Sequence, residues 1–426
     1  MRVRTQASLT VAALLTVCTS QTAYAEIPLV EKDEVYVSVA GEYRMFGALT
    51  ATGIEMPNTA LGGLGGLGVF ETPREIGTHA QLFRLGLRGD FGDWLHVEAQ
   101  SRTSLSATTY SSPLGGAATG IGTTERPDTL LPLRSVFIDR DGIVVANDFD
   151  RLLARLMVKS TDITIGRQPI TWGDALLFPA LDLWAPFSPY DQDTSQKPGI
   201  DALRVNTSLG SRWELDSALA SRGDAADFAI GALVTYYGDG FELDIGASKQ
   251  WEELFGLASV ATSVGAFNLR AEIAQPWDTD SGQLRSPRMT AGGTWFGGDA
   301  IIGLEYHFNG AARDEPLRSA TSAQVQRGET YLLGRHYIGA LSSYQVSVPF
   351  SLSFSTMINL TDPSALFAPA LRWEPAQDVE LSVGASLTAG ASPRFESEGL
   401  AGLVPSVPTE FGLYGDSFFA QFAAYF

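Results

Sequence analysis

The sequence predicts a transmembrane antiparallel β-barrel of about 18 strands, with about 16 as the alternative count. Three observations carry that expectation. Segments of about 10 residues alternate apolar and polar side chains along most of the chain, about the length that a tilted strand needs to cross a bilayer. No stretch holds the roughly 18 or more continuous apolar residues of a spanning helix. The chain also closes on an alternating segment that ends in Phe426.

In chain order, Arg2 and Arg4 precede an apolar run from Ala7 to Val17, and Ala23-Tyr24-Ala25 stands before Glu26. This is the pattern of a secretory signal peptide over residues 1–25, leaving residues 26–426 as a single barrel domain. The one cysteine, Cys18, lies inside the signal; a lipoprotein signal would need a small residue where Val17 stands. The mature chain is thus expected to hold no disulfide, thiolate metal site or haem attachment. Its formal charge of −19 becomes about −21 once Arg2 and Arg4 leave, which argues against nucleic acid as a partner. No linker, charge run or change of periodicity divides the chain.

From Leu95, His96, Glu98, Gln100 and Arg102 lie opposite Leu95, Val97 and Ala99. In Phe241 to Gln250, Leu243, Ile245 and Ala247 alternate with Glu242, Asp244, Gly246 and Ser248. In Asp378 to Gly390, Val379, Leu381, Val383 and Leu387 alternate with Glu380, Ser382, Gly384 and Ser386. At the end, Phe418, Ala420, Phe422, Ala424 and the terminal Phe426 share one face. That resembles the closing strand of bacterial outer-membrane barrels, which the barrel assembly machinery recognises, so Phe418, Phe422 and Phe426 are read as an assembly signal. The implied location is the cell outer membrane, in contact with its lipid and lipopolysaccharide.

Connections alternate in length, as in such barrels. Short turns are expected at Asp90 to Asp93, Thr161-Asp162, Gly210-Ser211, Gly238 to Gly240, Gly265 to Phe267, Gly297 to Asp299, Leu341 to Tyr344 and Pro375 to Gln377. Long connections are expected at Ala51 to Thr78, Ser106 to Phe149, Gly173 to Ile200, Pro276 to Ser286, Gly310 to Glu329 and Ser392 to Thr409. Leu131 to Ala146 reads either as another hairpin or as part of the second outer loop.

Gly173 to Ile200 falls as the third outer loop, between strands expected at Ile163 to Trp172 and Asp201 to Leu209. A loop this long is functional or disordered. Trp172, Phe178, Leu183, Trp184, Phe187 and four prolines argue for order, with Trp172, Gly173, Trp184, Pro186 and Phe187 as its anchors. In well-known porins the third loop folds into the lumen and narrows it; this loop occupies the corresponding place.

Gly166-Arg167-Gln168, Ile170, Trp172-Gly173, Pro179, Asp182, Pro186-Phe187, Pro189, Lys197-Pro198-Gly199, Asp201 and Arg204, preceded by Asp148 to Leu152, form a recognisable set. It resembles a porin-like group of Gram-negative outer-membrane β-barrels, in which a G-R-Q-x-x-x-W-G strand end leads into a P-x-D-x-x-x-P-F loop. The resemblance covers about Asp148 to Arg204 and implies a barrel with a fixed inner loop. It says little about cargo.

Alternation puts Arg151 and Arg155 opposite Leu152, Leu156 and Val158, Arg204 opposite Leu203 and Val205, and Arg84 and Arg88 opposite Phe83, Leu85 and Leu87. An arginine facing lipid near the midplane costs about 2–4 kcal/mol, so these side chains are expected to point inward. The loop offers Asp174, Asp182, Asp191 and Asp193. Arg151, Arg155, Arg167 and Arg204 facing Asp174, Asp182 and Asp191 would set a transverse field across a constriction. The same ions could instead pair to pin the loop to the wall; the two arrangements are compatible.

Trp94, Trp213, Tyr236, Tyr237, Trp251, Trp277, Trp295 and Tyr425 stand at strand ends, as an interfacial aromatic belt requires. The run Leu61 to Gly68 lacks a following helix and a Lys-Ser/Thr pair, so it is no phosphate loop. His79, His96, His307 and His336 are scattered, although Glu305 shares a register with His307 and His96 with Glu98. No catalytic, metal or cofactor motif is present. The expectation is a porin-like channel for passive or selective diffusion of small polar solutes, alone or as a homotrimer. The alternatives are a scaffold barrel that sheathes a partner protein in its lumen and, less favoured, an outer-membrane enzyme.

Overall fold

The computed structural model describes residues 26–51, 75–109, 129–186, 196–223, 227–313, 316–320, 322–397 and 403–426. The signal segment with Cys18, the run Leu61 to Gly68, and Phe187, Pro189, Asp191 and Asp193 lie outside them.

Eighteen antiparallel strands form a closed wall: β1 (Val35–Ala51), β2 (Glu75–Phe91), β3 (Leu95–Thr108), β4 (Ile143–Val158), β5 (Thr161–Gln168), β6 (Ile200–Ser208), β7 (Trp213–Ser221), β8 (Phe228–Tyr237), β9 (Phe241–Gln250), β10 (Glu253–Val264), β11 (Phe267–Asp278), β12 (Arg288–Gly297), β13 (Ala300–Asn309), β14 (His336–Ser347), β15 (Phe350–Asn359), β16 (Ser364–Ala376), β17 (Val379–Ala389) and β18 (Asp416–Tyr425). Each pairs with the next, and β18 closes on β1 from Glu42 opposite Tyr425 to Ala51 opposite Asp416. Closure removes the free edges that an open sheet would expose, which is what makes a strand wall viable in lipid.

The pleat sorts the side chains as the alternation requires. On β18, Phe418 is 64% and Phe426 41% exposed on the outer face, while Ala423 and Tyr425 are buried inside. The same alternation puts Leu49, Ile165, Ile245 and Leu304 on the lipid side and buries Glu42, Arg84, Gln100 and Asp244. Trp94, Trp213 and Trp277 are exposed near strand ends, and Tyr236 packs on Trp213. Two of the expected belt residues instead serve the interior: Tyr237 donates to Glu214, and Tyr425 is buried beside Arg44.

One end of the barrel carries short connections and the other most of the long ones, so residues 169–199 form the third long connection, as expected. The segment near Leu131 resolves into a hairpin. Arg134–Arg140 pairs with the first part of β4 above β5, adding to the rim and not to the strand count. The turn expected at Leu341 to Tyr344 is a correction: β14 runs through it, and the chain reverses at residues 348–349. The polar pair Ser342-Ser343 read as turn chemistry, but a wall facing a polar lumen accepts serine in mid-strand. β5 also ends earlier than expected, at Gln168, because Pro169 cannot continue the ladder.

Candidate functional site: the inner loop and the lumen wall

Residues 169–186 and 196–199 leave the rim and lie against the inner wall. Ile170, Trp172, Leu181, Leu183, Trp184 and Ala185 form one buried apolar cluster with Ala202, Ala218, Ala220, Ala229, Leu233, Phe255, Leu257 and Ala274 from the wall. The small inward residues of β6 to β11 thus make room for the loop's two tryptophans, which meet edge to face at 5.0 Å. The Trp172 indole N–H donates to Asp216 at 2.9 Å. Further along, Phe178 joins Leu332, Tyr337, Met357, Leu366 and Phe411 in a second cluster and stacks on His307. A Cβ at position 339 would lie 2.5 Å from the Phe178 ring, so β14 passes beneath this ring only with glycine there.

The polar side of this docking is carried by two wall carboxylates. Glu272 on β11 accepts the backbone N–H groups of Asp174, Ala175, Ala180 and Leu181, at 2.5, 2.6, 2.8 and 3.3 Å. Glu305 on β13 accepts those of Leu176, Leu177 and Phe178, at 2.6, 2.8 and 3.2 Å. Arg270 donates to the Asp174 carbonyl at 2.6 Å, and Arg222 to those of Trp184 and Leu183 at 2.9 and 3.0 Å. Gly173 has φ +89°, and a Cβ there would lie 2.8 Å from Glu272 Oε2, so both backbone and space require glycine. Glu410, in the last long connection, is buried where Tyr337, Asn359 and the Leu333 N–H all donate to it.

The residues of the sequence pattern pair with one another. Lys197 Nζ lies 2.6 Å from both oxygens of Asp182 and donates to the Ile170 carbonyl and Thr171, which ties the return of the loop to its start. Burial lowers the Lys197 ammonium below the usual lysine range, and Asp182 opposes that shift. Arg167 forms a two-pronged pair with Asp201, directly opposite it in register, at 2.8 and 2.9 Å. It also donates to the Leu131 carbonyl at 2.7 Å.

The seven expected constriction residues therefore separate. Arg167 and Asp182 are corrections: both are buried in ion pairs that fix loop and rim, and neither faces an open passage. Asp201 shares its strand face with lipid-side Leu203, so Arg167 lies in the wall opposite the lumen face of Arg204. Arg151 is buried near the start of that network and donates to the Asp150 carbonyl. Arg155 is exposed on the lumen face, 3.3 Å from Thr164. Arg204 is part-exposed and pairs with Asp216 at 2.9 and 2.6 Å. Asp191 lies outside the described residues.

Asp174 belongs to a different cluster. Its carboxylate, that of Glu242 and that of Asp244 can each bring an oxygen to within 4.8 Å of the others, close enough to share a cation. Asp244 is already held by Thr235 and Ser259, both at 2.6 Å. Burial raises the Asp174 carboxyl above the usual aspartate range; Asp244 adds to the rise and Arg270 opposes it. The basic side of the lumen lies on β1 to β4, where Arg44, Glu42, Arg84, Asp150 and Arg102 form an alternating chain of charges. Of the expected anchors, Trp172 and Trp184 are buried in the first apolar cluster and Gly173 lies against Glu272, while Pro186 follows the buried Ala185.

Sequence reasoning missed Glu272, Arg222 and Glu410, and it noted Glu305 only for its register with His307. Glu272 and Glu305 share their lumen faces with other polar residues, Asn268 and Arg270 on β11 and His307 and Asn309 on β13, so the pattern set neither apart.

No protein-family model matches the sequence, and no curated protein sequence matches it. The fold does match solved structures. Pseudomonas aeruginosa OccK5 (OpdH) superposes with a TM-score of 0.54 at 9% identity, over 92% of this chain and 97% of the other. P. aeruginosa OccK9 (OpdG) gives 0.53 at 11% identity, over 92% and 98%. Acinetobacter baumannii OccAB1 gives 0.51 at 11% identity, over 95% and 98%. The chain therefore shares its fold with these solved structures, and the likeness extends over nearly the whole of each.

Proposed function

We propose that the protein is an outer-membrane channel through which small hydrophilic solutes diffuse down their gradients, past a constriction made by residues 169–186 of the third long connection. The observation that supports this most is the docking of the loop: seven backbone N–H groups and two apolar clusters fix it on the wall, and the Lys197–Asp182 pair ties its return to its start. A loop held this way narrows the lumen permanently and gives it a defined polar lining. A barrel built to sheath a partner protein would need a loop that can be displaced, so the pinning favours the channel.

A similar fold occurs in a solved structure described as an outer membrane protein, opdK of P. aeruginosa, at a TM-score of 0.50 and 10% identity. The lining supports charge-sensitive passage. Arg155 and Arg88 are exposed on the basic side, and Asp174 and Glu242 stand on the acidic side. The resemblance carried by residues 148–204 fits this reading, because its charged members pair with each other to hold the loop.

The test is single-channel conductance of the purified protein in a planar bilayer under a KCl gradient. A steady conductance with a defined reversal potential is expected. A correctly folded barrel that conducts nothing would overturn the proposal.

A further inference from the structure

We propose that Glu26 is a built-in counter-ion of the lumen, whose carboxylate sets the ion selectivity of the passage at its short-turn end. This rests on the channel reading and assigns it a selectivity-determining residue.

The placement follows from the seam of the barrel. Phe426 exchanges backbone hydrogen bonds with Gly41 at the foot of β18. Below it, a short strand, Ile27–Lys32, pairs with the start of β1, from Ile27 opposite Val39 to Lys32 opposite Val35. This strand and β18 both run antiparallel to β1, so one begins along the line where the other ends. Glu26 falls in the gap between them, next to Ala40, on the face that Ala40 shares with lumen-side Ser38 and Glu42. Its side chain is therefore delivered to the lumen by the ladder, with no contribution from the carboxylate itself.

Once there, Glu26 meets a basic wall. One oxygen pairs with Arg88, and the other accepts from Ser38 Oγ at 3.1 Å. The pair lines a cavity of about 210 Å³ together with Arg84, Gln100 and Arg151. Arg84 is already engaged by Glu42 and Asp150. Gln100 is buried there, and its side-chain oxygen has no hydrogen-bond partner. The Glu26 and Arg88 side chains remain 31% and 44% exposed, so this pair stands in the water through which a solute would pass.

An ion pair this exposed contributes little to folding, but its charges act on a passing ion. A unit charge about 7 Å away in water changes an ion's energy by about the thermal energy, or roughly two- to threefold in local concentration. With Glu26 present, the Arg88 charge is neutralised; without it, the mouth of the passage favours anions.

The experiment compares wild type with Glu26→Gln, Glu26→Asp and Arg88→Gln, each expressed as the full chain and purified from outer membranes as a folded barrel. Reversal potentials are read in bilayers under a KCl gradient. Glu26→Gln is expected to raise the anion-to-cation permeability ratio roughly two- to threefold, Arg88→Gln to lower it, and Glu26→Asp to match wild type. The Glu26→Gln shift should fade near 1 M salt, where the screening length is about 3 Å. A silent Glu26→Gln beside a conducting wild type overturns this inference and leaves the channel standing. So does Glu26→Asp behaving as Glu26→Gln, which would make the role one of packing. A wild type that conducts nothing overturns both.

Discussion

Glu272 and Glu305, on β11 and β13, share between them the N–H group of every residue from Asp174 to Leu181 that has one; the single exception, Pro179, has none to give. An irregular loop carried into a barrel must find partners for its backbone, because each buried unpaired donor costs about 1–3 kcal/mol. Two carboxylates supply four and three acceptor contacts at fixed points of the wall. Glu272→Gln and Glu305→Gln each replace one acceptor oxygen with an N–H₂ group that faces N–H donors. We expect both variants to fold as barrels and to show larger, noisier single-channel currents than wild type, with the double variant more so. Heat-modifiable migration on gels checks folding; unchanged currents from folded variants would show that the loop does not define the constriction.

Arg155 and Arg167 stand on the same sheet but should behave differently. Arg167 is 1% exposed and paired with Asp201, so Arg167→Gln leaves a buried carboxylate and is expected to cost about 3–5 kcal/mol, with little change in selectivity if the barrel still assembles. Arg155 faces the lumen, and Arg155→Gln should leave stability near wild type while shifting the reversal potential toward cations. Urea unfolding and bilayer recordings on the two variants separate these outcomes. A stable Arg167→Gln with altered selectivity, beside an unstable Arg155→Gln, would exchange the two roles.

The alternation made the barrel, its strand count and the place of the third long connection legible, because the lipid face admits few polar side chains and the pleat repeats every two residues. The same rule predicted inward arginines. It could not say which of them would meet a carboxylate. Arg155 alternates with lipid-side Leu156, whereas Arg167 shares its strand face with lipid-side Ile165, and the fold of residues 129–133 over Asp201 gives it polar partners on that face. Glu272 was invisible for a related reason. A lumen-facing glutamate is ordinary in a strand of this kind, and its partners are backbone groups roughly 90 or more residues away in the chain, which carry no side-chain signature.

Asp174 gives a pH dependence whose sign follows from its surroundings. Its carboxyl is raised above 3.8, first by burial and then by Asp244. The docked loop therefore holds this proton more tightly than an undocked one. The penalty of ionising Asp174 is fully present above its raised value and disappears as pH falls toward 3.8. Mild acid should thus tighten this part of the loop and reduce cation preference together, and Asp174→Asn should abolish both changes. Reversal potentials recorded across the acid range test this; an Asp174→Asn channel that retains the full wild-type pH response would rule Asp174 out.

Lys197 and Asp182 offer the sharpest stability test, because both are buried and each is the other's counter-ion. Removing one partner strands the other in an apolar setting, which costs about 3–5 kcal/mol. Lys197→Met and Asp182→Leu should each loosen the loop and increase its cleavage by an added protease. The double variant should recover much of the loss, because two apolar side chains of similar size suit a site bounded by Ile170, Leu181 and Leu183. The burial that lowers Lys197 predicts this recovery: desolvation is the larger influence on its ammonium, and Asp182 only offsets it. A double variant as labile as the sum of the singles would mean that Lys197 acts mainly through its bonds to the Ile170 carbonyl and Thr171, and that the pair itself is incidental to the lock.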